Sequence, residues 1–120
     1  MQTREIPRTE WPKFINSFSS RHEGWTIDVE VFGPEIGAQV EGTGLVLRGL
    51  TDEWDEKNGN TIVIMAGNRR DDHVTRSISR PTEMSLERTD SGLDAALSIT
   101  GEDGTKTLLT FPSFCRNWRM

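Results

Sequence analysis

The apolar period changes once along this chain, from about 3.6 residues to two, and that switch restricts the fold more than any other feature. Trp11, Phe14, Ile15 and Phe18 fall at i, i+3, i+4 and i+7, one aromatic-rich stripe on a helix over residues 10–21. Thr9 is placed to cap it, and Pro12 is tolerated because first-turn amides have no intrahelical partner. Asn16, Ser17, Ser19 and Ser20 are weak helix formers, so packing of the stripe must hold the helix. After Gly24, the residues Trp25, Ile27, Val29 and Val31 alternate with Thr26, Asp28 and Glu30, the pattern of a strand with one buried and one wet face.

The rest of the chain keeps strand character. Gly33-Pro34 turns it toward a short return strand over residues 36–41. A strand over residues 45–54 contains Gly49, a candidate bulge or bend. Asn58-Gly59 is a type I′ hairpin signal leading into residues 61–66. There Ile62, Val63, Ile64 and Met65 are apolar without alternation, which predicts a central strand covered on both faces. Strands over 73–79 and 82–88 flank Arg80-Pro81, and a final pair over 95–100 and 105–111 is joined by a loop ending in Asp103-Gly104.

These elements predict an α+β domain whose N-terminal helix packs on a strongly curved, mainly antiparallel sheet or small open β-barrel of six to seven strands. The chain of 120 residues suits one domain over 1–120, with an ordered core over 6–111 and a C-terminal tail over 112–120.

Composition removes several classes of function. Cys115 is the single cysteine, so there is no internal disulfide and no multi-cysteine zinc site, and no metal or other cofactor is expected. No apolar run approaches the roughly 20 residues that cross a bilayer. The N-terminus has no hydrophobic stretch after its charges, and a cytoplasmic, non-membrane protein is expected. A net charge of -5 argues against nucleic acid as a partner, because phosphate binding needs a basic patch.

Several separated segments resemble one family of short bacterial proteins of unknown function. They are the opening Ile6-Pro7-Arg8-Thr9-Glu10-Trp11 with its Ile-Pro-x-x-x-Trp pattern, then Phe18, Arg21-His22-Glu23-Gly24-Trp25, Gly33 to Gln39, Gly67 to His73 and Arg80-Pro81-Thr82. The resemblance runs from about Ile6 to Phe111 and implies a stand-alone domain, with no activity, substrate or cofactor to carry across.

The candidate site read from the residues themselves is the charged run after the most apolar strand: Arg69, Arg70, Asp71, Asp72 and His73. As a binding element it offers two guanidinium groups and an imidazole. As an enzyme it would be a small hydrolase-like or isomerase-like protein using His73 with Asp71 or Asp72, since a neighbouring carboxylate can orient an imidazole for acid–base work. No nucleophile lies beside it, and adjacent residues on a strand point to opposite faces, so a non-catalytic binding or scaffold domain is the leading expectation. The acidic segment 52–56 has no calcium-loop spacing. Trp54 within it, and Phe114 and Trp118 in the tail, are candidate interface residues for a homo-oligomer, because an open sheet leaves edges that a second copy can pair.

Overall fold

Helix α1 (Trp11–His22) is entered through a 3-10 turn at Arg8–Glu10. The computed structural model describes residues 2–35, 37–57, 59–67 and 73–111. Thr9 lies inside the entry turn and does not cap the helix; Glu10 precedes it and makes no side-chain cap. The chain is instead steered in by Glu10 N–H donating to Pro7 O (2.9 Å) and by the indole Nε1–H of Trp11 donating to Ile6 O (2.8 Å). Trp11, Ile15, Phe18 and His22 form the buried face, with Phe14 at its margin.

Eight strands follow or flank the helix: β1 (Gln2–Glu5), β2 (Thr26–Gly33), β3 (Gly37–Asp55), β4 (Gly59–Gly67), β5 (His73–Ser79), β6 (Pro81–Arg88), β7 (Asp94–Gly101) and β8 (Lys106–Thr110). They form one antiparallel sheet in the order β1-β6-β7-β8-β2-β3-β4-β5. Ile27 and Val29 on β2, Leu47 and Leu50 on β3, Ile62 and Ile64 on β4, Met84 and Leu86 on β6, Leu97 and Ile99 on β7 and Leu109 on β8 bury one face with the helix stripe. The helix lies mainly over β3.

The expected strongly curved sheet or small barrel of six to seven strands is thereby corrected. The sheet is open, with β1 and β5 as its two edges and no ladder joining them among the described residues. The physical reason is β1, a strand that periodicity did not predict because its residues are all exposed. It pairs with β6, Gln2 opposite Arg88 through Glu5 opposite Ser85. It thus occupies the edge of β6 that a closing β5–β6 ladder would need, and Pro81 at the start of β6 has no amide to give such a ladder.

Two strand expectations also change. Residues 37–55 are a single long strand rather than two, with irregular register against β2 and a bulge between Leu47 and Gly49 against β4. Gly49 does mark an irregularity, and the helix accommodates it: Leu50 N–H donates to Ser19 Oγ at 2.9 Å. One of the weak helix formers is therefore the residue that satisfies the bulged strand. β4 lies next to the β5 edge, not at the centre; Ile62, Ile64 and Ala66 are buried while Val63 and Met65 are half-buried. No helix is long and apolar enough to cross a membrane.

Candidate functional site

The helix stripe ends in a polar residue. His22 continues the spacing of Trp11, Ile15 and Phe18, so the geometry that buries the aromatics buries its imidazole as well. Its ring lies 4.2 Å from Phe18, 4.9 Å from Phe111 in a stacked pair, and 4.6 Å from Trp25 edge-on, centroid to centroid. A corner holds this box together. Gly24, in the left-handed region at φ +90, donates its N–H to Leu47 O, and Leu47 N–H donates to Trp25 O.

A carboxylate reaches the box from the sheet. On the helix side of β6 lie Met84, Leu86 and, by alternation, Arg88, while β7 presents Leu97 opposite Leu86. Strict alternation from Leu97 would send Asp94 to the far face. The register shift between Glu87 and Arg88 leaves Ala95 as an extra residue, and Asp94 comes opposite Arg88 on the inner face. The bulge therefore aims the carboxylate at the helix end.

Asp94 Oδ2 lies 3.1 Å from His22 Nε2 and accepts from Arg21 Nη1 at 3.0 Å, while Oδ1 accepts from Arg88 Nε at 3.0 Å. The side chains of His22 and Asp94 are 3% and 6% exposed, whereas those of Arg21 and Arg88 are 47% and 39% exposed. Arg21 is further held by Nε to Ser17 Oγ (3.3 Å). Both basic helix residues sit in the last turn, where the negative end of the helix dipole favours them.

The other ring nitrogen of His22, Nδ1, is 2.8 Å from Phe18 O. Each nitrogen thus faces an acceptor, so a protonated ring would satisfy both and a neutral ring only one. Burial nevertheless lowers the His22 pKa below its ordinary 6.5, and this outweighs the Phe18 carbonyl and the Asp94 charge, which raise it; Arg21 lowers it further. The unfolded ring regains the ordinary value and binds more protons than the folded one, so folding stability should fall as pH drops below about 6.5. Thermal melts from pH 8 to 5 should show this loss in the parent chain and a flatter profile for His22→Gln. An NMR titration midpoint for His22 above 6.5 would reverse the sign.

Of the residues anticipated from the sequence, His73 and Trp54 are described. Arg69, Arg70, Asp71 and Asp72 lie outside the described residues, as do Phe114 and Trp118. His73 is exposed at the start of β5, opposite Gly67. Trp54 is 72% exposed near the end of β3. The structure does not bring His73 or Trp54 to the His22–Asp94 centre. Asp52, two residues before Trp54, accepts from Asn60 Nδ2 at 3.1 Å through one oxygen, while the other is buried without a hydrogen bond, and burial raises its pKa. Among the described residues, no three His, Cys, Asp or Glu side chains gather as a metal site.

Comparison with known proteins gives a family and no activity. The sequence model of a family of unknown function, DUF5335, matches residues 2–115. An uncharacterized protein of Aquifex aeolicus (strain VF5) is 28% identical over 109 residues, an alignment that covers 91% of each chain. No solved structure matches the chain.

Proposed function

The chain belongs to the DUF5335 family, and from that premise we propose that it binds a small anion at Arg21 and Arg88, above the His22–Asp94 contact. The observation that carries this reading is the charge of the cluster. Two guanidinium groups share one carboxylate, which leaves one positive charge in excess even with His22 neutral. The arginines are the exposed members, and the carboxylate that orients them is buried. Arg88 uses only Nε among the described residues, so its Nη edge is available for the paired hydrogen bonds that guanidinium makes with carboxylate or phosphate.

A second reading, acid–base chemistry, is favoured by the 3.1 Å His22–Asp94 contact. The small-enzyme alternative first drawn for His73 is better supported at this pair. Both nitrogens of His22 are engaged in the closed arrangement. A ligand anion would have to draw the arginines off Asp94 and open the aromatic box before the ring could exchange a proton with it.

Titration of the labelled chain with acetate and with inorganic phosphate tests the binding reading. Amide shifts should centre on residues 21–25 and 88–94, and Arg88→Gln should weaken binding by about tenfold, the loss of one charge-assisted pair of hydrogen bonds. Equal affinity in Arg88→Gln, or no shift from either anion, would overturn it. Hydrolysis of an activated acetate ester that His22→Gln abolishes, with anion binding retained, would favour the acid–base reading.

A further inference from the structure

We infer that the sheet face turned away from α1 carries a second binding site, for a peptide of three or four residues with free ends and apolar side chains. A groove of about 650 Å³ crosses β6, β7, β8 and β2 on that face, within the size range of small-ligand clefts. Its apolar surface comes from Phe32 on β2 and Leu108 on β8, with Pro34 beyond. Strand alternation explains the placement. Phe32 and Leu108 are out of phase with the buried Val31 and Leu109, so they stand on the outer face as half-buried apolar groups among hydroxyls.

One end of the groove lies between two turns. Gly104, at φ +86 in the β7–β8 turn, comes so close to the β2–β3 turn that a Cβ there would sit 3.6 Å from Pro34 Cγ. Two turns from different hairpins thus lie near each other at that end, and a side chain at 104 would touch Pro34. Ser98 contributes a hydroxyl to the lining.

The charges choose the ligand. Lys106 and Glu87 both line the groove, and neither side chain makes an ion pair or hydrogen bond among the described residues. Lys106 lies opposite Thr100 on β7, and Glu87 lies opposite Ala96 on the same strand. They are therefore two strands apart across the sheet and four residues apart along it, about 16 Å between Cα atoms at ordinary strand spacings. An extended peptide of three or four residues spans about 10–14 Å. Its carboxylate can meet the Lys106 ammonium while its amino group meets the Glu87 carboxylate, with the long side chains covering the remainder. A ligand of one charge would pair with only one of these groups. A zwitterion satisfies both.

Trileucine with free ends is the probe, titrated into the labelled full chain and followed by amide shifts. Shifts should centre on Phe32, Ser98 and Leu108, and acetylating the amino end or amidating the carboxyl end should each weaken binding by about tenfold. Lys106→Gln should bind the acid and the amide forms alike, and Glu87→Gln should bind the free and acetylated forms alike. Both substitutions are on the outer face, away from the core and the His22 box. Equal binding of capped and free peptides by the parent chain, no shifts at millimolar peptide, or shifts confined to Arg21 and Arg88 would each overturn the site.

Discussion

Trp11→Ala should lower folding stability by about 3–5 kcal/mol, the range for deleting a buried aromatic without full collapse of the cavity. The indole is 1% exposed and does two jobs. It fills the start of the helix–sheet interface, and its Nε1–H ties the helix to Ile6 O at 2.8 Å. Arg8 also stacks over the ring, 4.7 Å from its centroid. The alanine variant loses the filling and leaves the Ile6 carbonyl without this donor, and the entry turn that replaces a helix cap loses its anchor. Trp11→Phe keeps most of the volume and removes the hydrogen bond, so it should cost markedly less. Urea unfolding of the three proteins checks this. A loss below about 1 kcal/mol for the alanine variant would mean that the helix is not held through this residue.

The second large effect is expected from Asp94→Ala, at roughly 3 kcal/mol. Removing one partner of a buried charged cluster costs about 3–5 kcal/mol, and the lower end applies because both arginines can turn to solvent. With the carboxylate gone, two guanidinium groups face each other and His22 Nε2 has no partner from β7. The polar tie between the helix end and the β6–β7 hairpin is then lost. Asp94→Asn retains the shape and one acceptor oxygen and should be intermediate. A drop in Tm of about 10 °C for the alanine variant corresponds to this magnitude in a chain of this size. An unchanged melt would show that the cluster lies on the surface of the stability problem rather than within it.

Much of the fold was legible where one periodicity ruled. The stripe Trp11, Ile15 and Phe18 identified the helix and its buried face, and β2 alternates as its residues require. Gly59 begins β4 after the β3–β4 connection, and the Asp103-Gly104 step falls at the β7–β8 hairpin. Legibility failed where a strand is defined by its neighbour and not by its own pattern. Gln2–Glu5 has no apolar residue at all and is a strand because β6 offers it a ladder. The apolar run at Ile62 to Met65 suggested a doubly covered strand, yet its half-buried Val63 and Met65 need no second layer.

The candidate site was legible in half. His22 stands four residues after Phe18, and extending the stripe by one step would have marked it as buried. Asp94 carried no such signal. Its side chain reaches the helix because Ala95 is bulged, and a one-residue bulge inverts the face that alternation assigns. The charged run at 69–73 drew attention because its chemistry is concentrated in sequence. The His22–Asp94 cluster is assembled from three elements, with Arg21 and Asp94 lying 73 residues apart in the chain.

The position of β1 also sets an order of assembly. Gln2 sits opposite Arg88, so β1, which precedes the other strands of this sheet, has no ladder to join until β6 has been made. Bringing these residues together closes a long loop for four residues of pairing, whereas β2–β3, β3–β4 and β7–β8 close through short turns. The hairpins therefore come first, and the leading segment waits unpaired while they form. β1, the earliest of these strands to be made, is thus among the last that the sheet takes in.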